Sequence, residues 1–434
     1  MKKFIFSAIA VISILSFQSC LKNQVDYFDK TAASRMTYAL EQARTAIYSS
    51  ENGWKMEYFT YNGGYNFAVK FVDKDAKGNP IDSVCATSEL APSKMSGSYF
   101  RLTSDDGPVL SFDTYNDILH YFGTPDWSNY QGHGGDFEFI ILSASQDEIV
   151  LKGKRTGLIS RMTPIEAPET MQSYAAKMAD VAENFLVVSA TGATDGVAVK
   201  MDIDLTSRNV ILTAKDEEGQ WDEINAVQVP YLITTNGFKF ERVIKFQGHE
   251  IEYFTYNKNT RRLLADDEDL VFKADAIPSD YVKFSEYPGE YEFKYATDVT
   301  PGTATVTIEV VDELSKIVQM KGFTTDYEGI YLYYNATSGR LQYLPQYVGT
   351  YNDEFPIAGF TMDGRNVSTS ATMDLAPDPT SDKGFKFVST PDQKMKVTGI
   401  ILFKEFTTED GETDYEQFSE WNPSMLYPKT LTRK

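Results

Sequence analysis

Most of this 434-residue chain alternates apolar and polar residues at every second position, in short runs broken by turn residues. Between Ser98 and Ile165 the pattern is plain. Phe137, Phe139 and Ile141, then Ile149 and Leu151, fall on one face of their runs, and Asp105-Asp106-Gly107, Tyr115-Asn116-Asp117 and Gly132 to Gly135 separate them. A period of two between turn signals predicts antiparallel strands joined as hairpins. Ile118, His120 and Phe122 fit the same alternation and predict a further strand, with His120 as a structural residue. Upstream, WKMEYFTY at 54–61 and YNFAVKFV at 65–72 flank Asn62-Gly63-Gly64, a turn in which glycine supplies positive φ. Trp54 opens the first of these strands and is a core candidate.

Two stretches change period. Met36, Leu40, Ala43 and Ile47 form one stripe of a helix that Asp29 or Thr31 can cap. Met171, Tyr174, Met178, Val181 and Phe185 form another within 169–185. Each is followed by strands, the second group being 197–205, 209–214, 227–234, 238–246 and 250–256.

The acidic run Asp266 to Asp269 and Pro278 mark the approach to a boundary. From Tyr287 eight further strands are expected, at 289–295, 303–311, 317–322, 329–335, 340–345, 355–360, 384–388 and 396–403. The expected fold is mainly β, a β-rich α+β chain of antiparallel sheets with two short helices in its N-terminal part. Its C-terminal part is a calycin-like barrel or a β-sandwich. The expected organisation is a leader at 1–19, a tether at 20–28, a helix-covered β-rich domain at 29–285 with a possible division near 166, and an all-β domain at 286–434.

The first twenty residues stand outside this pattern. Lys2 and Lys3, an apolar run from Phe4 to Phe17 and Gln18-Ser19-Cys20 form a leader too short for a membrane span. Ser19-Cys20 resembles the lipobox of bacterial lipoproteins, which implies that Cys20 carries lipid and becomes the new N-terminus. Acyl chains there would hold the protein on a membrane, outer membrane being the expected one, with its cell-surface or periplasmic face open. The residues after Cys20 are not acidic until Asp26, unlike many surface-exported lipoproteins. With Cys20 acylated, Cys85 has no partner for a disulfide, so the fold rests on its core. The formal net charge of −21 excludes nucleic acid as a natural partner, and loss of the two leader lysines makes the chain more negative still.

ENGWKMEY at 51–58, GGYNFAVKF at 63–71, GPVLSFDTYN at 107–116 and the pair GGDFEFI and DEIVLKGK within 134–154 are similar to an uncharacterised family of Bacteroidetes lipoproteins. Members are often encoded near nutrient-uptake systems of the starch-utilisation type. The resemblance implies an accessory that handles a glycan or peptide nutrient beside an outer-membrane uptake complex; it supplies no catalytic residues.

No nucleophile elbow, zinc-protease helix, phosphate loop or dinucleotide fingerprint occurs, and no catalytic residue, metal ligand or cofactor is assigned. Asp73 to Gly78 begins like a calcium loop, but Lys77 stands at a ligand position and Val84 where the closing glutamate belongs. The best ligand candidate is the long polar loop 123–136. Trp127 and Tyr130 could stack on a sugar face while Asp126, Asn129, His133 and Asp136 bond its hydroxyls; alternatively Trp127 folds back over the end of a sheet. Trp221 is a loop contact or a cover. A membrane-anchored binding accessory is the expected function. A hydrolase with an unrecognised carboxylate site and an assembly partner of an outer-membrane complex are the alternatives.

Overall fold

A computed structural model describes residues 31–105, 107–125, 132–267, 269–298, 300–381 and 383–434. Its described strands lie in three antiparallel sheets. The first contains β1 (Trp54–Thr60), β2 (Gly63–Lys74), β3 (Pro80–Ser88), β4 (Ala91–Tyr99), β5 (Arg101–Ser104), β6 (Pro108–Ser111), β7 (Glu138–Ala144), β8 (Ile149–Gly153) and β9 (Ile159–Pro164). They run in the order β4-β3-β2-β1-β9-β8-β7-β6-β5. The edge strands β4 and β5 are separated in the chain by Phe100 alone, so the sheet curls into a half-barrel. Trp54, Tyr58, Phe67, Phe112 and Phe139 fill it. Trp54 is fully buried, its indole N–H donating to the Ile47 carbonyl at 2.9 Å.

Helix α1 (Ala32–Ile47) starts at Thr31, whose hydroxyl accepts from the Ser34 N–H. Its stripe turns inward as expected, with Ala43 and Ile47 buried and Met36 and Leu40 half-buried. Helix α2 (Met171–Asn184) begins with a reciprocal capping box between Thr170 and Ser173. Met171, Tyr174 and Met178 join the core of the second sheet, while the helix also lies along β1 to β4.

That second sheet is a closed barrel of β10 (Ser189–Thr194), β11 (Val197–Asp204), β12 (Asn209–Ala214), β13 (Val227–Thr234), β14 (Gly237–Phe246), β15 (His249–Asn257), β16 (Arg262–Ala265) and β17 (Val271–Ala274). Pairing of Ala190 with Ala274 closes it. Asp266, Asp267 and Asp269 of the acidic run therefore belong to the last hairpin of the barrel. The passage to the third sheet comes later, at 275–288.

The third sheet holds β18 (Gly289–Ala296), β19 (Pro301–Asp312), β20 (Ile317–Lys321), β21 (Ile330–Asn335), β22 (Arg340–Tyr343), β23 (Gln346–Tyr351), β24 (Phe355–Met362), β25 (Val367–Ser368), β26 (Met373–Pro377), β27 (Gly384–Ser389), β28 (Gly399–Thr407), β29 (Thr413–Gln417) and β30 (Met425–Arg433). β18 to β22, β26, β27 and β30 form a ring, because β30 pairs with both β27 and β18. β28, β24 and β23 extend from β30 as a side sheet, with β25 and β29 added to it. The ring is the barrel alternative, enlarged by strands the alternation missed.

Two local expectations are corrected. Residues 117–124 form hydrogen-bonded turns, because the Asn116 side chain accepts from the Ile118 and Leu119 N–H groups and winds the chain. His120 is buried there, accepting from the Asn116 N–H through Nδ1 at 3.2 Å and stacking on Phe137. In the β1–β2 hairpin the turn residues are Tyr61 and Asn62, since Thr60 pairs with Gly63. The glycine at 64 serves packing: a Cβ there would lie 2.7 Å from the Leu232 Cβ of the barrel.

Candidate functional site

Four hairpins share one turn sequence, Asp or Asn, two variable residues, Ser or Thr, then Arg, Lys or Gly. They are Asp204 to Arg208, Asn257 to Arg261, Asp312 to Lys316 and Asn335 to Gly339. In each the first side chain accepts from the N–H of the fourth residue. The fifth residue has positive φ, between 53° and 68°. This conformation is common for glycine and uncommon for Arg or Lys, so the turn hydrogen bonds must hold the three cations in it.

Three of these turns meet the half-barrel around one cleft of about 1570 Å³. Arg208 comes from the β11–β12 turn and Lys316 from the β19–β20 turn. The β3–β4 turn supplies Glu89, and Ala336 represents the β21–β22 turn. One surface of α2 completes the wall through Ala176, Ala179 and Glu183.

The floor is charged and buried. Glu89 retains 3% of its exposure and Arg208 7%. Nη1 of Arg208 lies 3.3 Å from the Glu89 carboxylate. Glu89 also accepts from the Asn66 N–H and side-chain amide, both at 3.2 Å. Asn66 in turn donates to the Ile233 carbonyl and accepts from the Tyr174 hydroxyl. Yet Nη1 makes no hydrogen bond of acceptable geometry. The guanidinium packs over the Tyr65 ring, 5.5 Å from its centroid. Lys316 donates to the Leu90 carbonyl at 2.8 Å and lies over the Phe284 ring. Burial pushes the Glu89 carboxyl upward and the Lys316 ammonium downward from their usual ranges.

Above the floor the walls are aromatic, formed by Tyr65, Phe122, Tyr231, Phe284 and Tyr334. The rim is acidic, with Asp117, Asp180, Glu183, Asp312 and Glu313 against the single cation Lys94, which pairs with Asp117 at 2.9 Å. Hydrogen bonds tie the sheets together around the opening. Tyr121 meets Ser315 and Ser93 donates to Glu313 between the first and third sheets; Thr337 donates to Asp204 between the third and second. Burial raises the Asp204 carboxyl, but bonds from Ser207, Thr337 and Thr206 outweigh it and hold the group below the ordinary aspartate range.

Of the residues singled out in the 123–136 loop, Asp126, Trp127, Asn129 and Tyr130 lie outside the described residues, as does Cys20. His133 lines the cleft and stacks on Tyr121 at 5.8 Å, the Phe122 carbonyl accepting from its N–H. Asp136 is not among the residues that line the cleft. It is buried, and its carboxylate accepts from the Arg155 N–H at 2.7 Å and from the Thr156 N–H and hydroxyl. Trp221 is half-covered beside Lys200 and Lys215, which lie over its ring. The Asp75 carboxylate accepts from the Lys77 and Asn79 N–H groups and the Asn79 side-chain amide within its own turn.

At one end of the closed barrel, Thr194 Oγ1 lies 2.7 Å from His249 Nε2, and His249 Nδ1 lies 2.8 Å from Asp267. Thr194 is buried at the end of β10. The line joins the β10–β11, β14–β15 and β16–β17 hairpins and so fastens the barrel end.

The family model described as a domain of unknown function (DUF4302) matches residues 24–258, and a second domain of unknown function (DUF4987) matches residues 265–403. No curated protein matches the chain. Among solved structures, a protein of unknown function from the DUF3598 family of Nostoc punctiforme is 10% identical. It covers 60% of this chain and 99% of its own, with a TM-score of 0.14. A protein of Bacteroides fragilis described as a "putative outer membrane protein" is 8% identical and covers 58% of this chain and 99% of its own, with a TM-score of 0.16. Among the described residues no helix is long and apolar enough to cross a membrane.

Proposed function

The chain belongs to the family described as a domain of unknown function (DUF4302), and from that premise we propose that it is a cell-envelope binding accessory that holds a nutrient ligand in the cleft where its three sheets meet. One observation carries the proposal: hairpin turns from all three sheets converge on a single opening with aromatic walls and a charged floor. Rings and a few placed polar groups are the usual ingredients of a site that captures a polar ligand. Lipid on Cys20 would hold the protein on the outer membrane, beside an uptake complex to which it passes a glycan or a short peptide.

The test is capture of glycan and peptide libraries by the detergent-purified full chain, compared with an Ala179→Trp variant. Ala179 lines the cleft from α2 and is half-exposed, so the indole can occupy the opening without disturbing the core. Capture should fall at least tenfold in the variant while its melting temperature stays unchanged. Equal capture by both proteins, or none by either, would overturn the proposal.

A further inference from the structure

The floor of the cleft carries more cationic donors than the chain satisfies. A guanidinium has five N–H donors. Among the described residues the Arg208 side chain has one charged partner, Glu89, and Nη1 lacks a well-formed hydrogen bond even to that. Buried donors are seldom left so. Lys316 stands close by, its charge acting on Arg208 and on the carboxylates Glu313, Glu183 and Glu89. The two cations sit beneath a rim with five acids and one lysine.

From this arrangement we infer that the cleft takes a short peptide, carboxylate end first, with Arg208 and Lys316 receiving the C-terminal carboxylate and the acidic rim receiving the peptide's cationic groups. The inference rests on the binding reading above and names its ligand. A guanidinium and a carboxylate match in plane and spacing, and two N–H groups can bond two oxygens at once. Charge order excludes the polyanionic alternative. A polyuronate that placed one carboxylate on Arg208 would bring its remaining carboxylates against Asp117, Asp180, Glu183, Asp312 and Glu313. A peptide's ammonium and lysine side chains meet the same acids favourably. The Tyr65, Tyr231 and Phe284 rings offer apolar faces to side chains between the two charged zones.

The experiment uses the detergent-purified full chain and a randomised tetrapeptide pool in three forms: free, C-terminally amidated and N-acetylated. Peptides that co-elute with the protein are weighed by mass spectrometry, with oligogalacturonate as a competitor. The free pool should be retained. Amidation should lower retention at least tenfold and acetylation severalfold, and lysine-containing members should be enriched. Because Arg208→Gln alone leaves Glu89 buried without its cation, the test variant is Arg208→Gln combined with Glu89→Gln, checked by its melting curve; Lys316→Met is the second. Both should erase the difference between free and amidated pools. Equal retention of free and amidated pools, or no retention of either, would overturn the carboxylate anchor. Displacement of peptide by oligogalacturonate at lower concentration than peptide itself requires would overturn the peptide assignment. In each case, loss of glycan or peptide capture in Ala179→Trp reports separately on the cleft as a binding site.

Discussion

Arg208 and Glu89, 3.3 Å apart, come from hairpin turns of different sheets and meet in the interior between them. Each is the other's compensation, because the desolvation of either charge alone is costly. Glu89→Ala should cost about 3–5 kcal/mol, and pairing it with Arg208→Met should return much of that loss. Urea unfolding of the two variants checks both. A pH series adds a sign. Burial raises the Glu89 carboxyl pKa in the fold above its unfolded value, so the folded chain holds that proton more tightly. The stabilising contribution is present below the ordinary glutamate range and is lost as pH rises through the raised value. Glu89→Gln should flatten this part of the stability profile.

Gly64→Ala should loosen the half-barrel from the closed barrel. The added Cβ would meet the Leu232 Cβ at 2.7 Å and the Phe59 ring still closer. Overpacking of this kind typically costs about 1–3 kcal/mol. A lowered melting temperature would be accompanied by faster protease nicking between the sheets. An unchanged melt would show that β1 and β2 can shift away from β13.

The Thr194–His249–Asp267 line predicts a local effect. His249→Ala leaves a buried hydroxyl without its partner, at a cost of about 1–3 kcal/mol. Hydrogen exchange should quicken first at the ends of β10, β15 and β16. Capture of ligand at the cleft should not change.

Cys20→Ser should release the chain from the membrane fraction or leave an unprocessed precursor. Fractionation of cells expressing each form measures it, and unchanged membrane attachment would remove the lipid anchor from the proposed function.

Many of the strands and both helices were legible because their signals are local. Phe139 and Ile141, or Met171, Tyr174 and Met178, lie on a face that their own neighbours bury. The failures are cases where a side chain or a distant segment overrides the period. Asn116 winds 117–124 into turns against the alternation of Ile118, His120 and Phe122. β26 and β30 were missed because MDLAP and MLYPKTLTR each carry a proline, which reads as a breaker. Pro377 ends its strand, and Pro428 sits where the β18–β30 register shifts, a position where a missing N–H is tolerated. The cleft was the least legible. Arg208 and Glu89 read as ordinary solvated turn residues, because their burial comes from sheets far away in sequence. A usable trace did exist in the turn pattern repeated at 204–208, 257–261, 312–316 and 335–339, three of whose closing residues are cations in a backbone conformation they seldom adopt.

The pairing of β30 with β18 orders events as the chain is delivered from its N-terminal to its C-terminal end. Tyr291 meets Arg433 and Phe293 meets Leu431, so the third ring stays open until residue 433 has emerged. The half-barrel is complete at β9 and the closed barrel at β17, both long before that. Pairings so distant in sequence are slow to form, and an open sheet edge is prone to join another chain. The interval before β30 arrives is therefore the aggregation-prone stage of this protein's biogenesis, and a chaperone that shields β18 and β27 would act there.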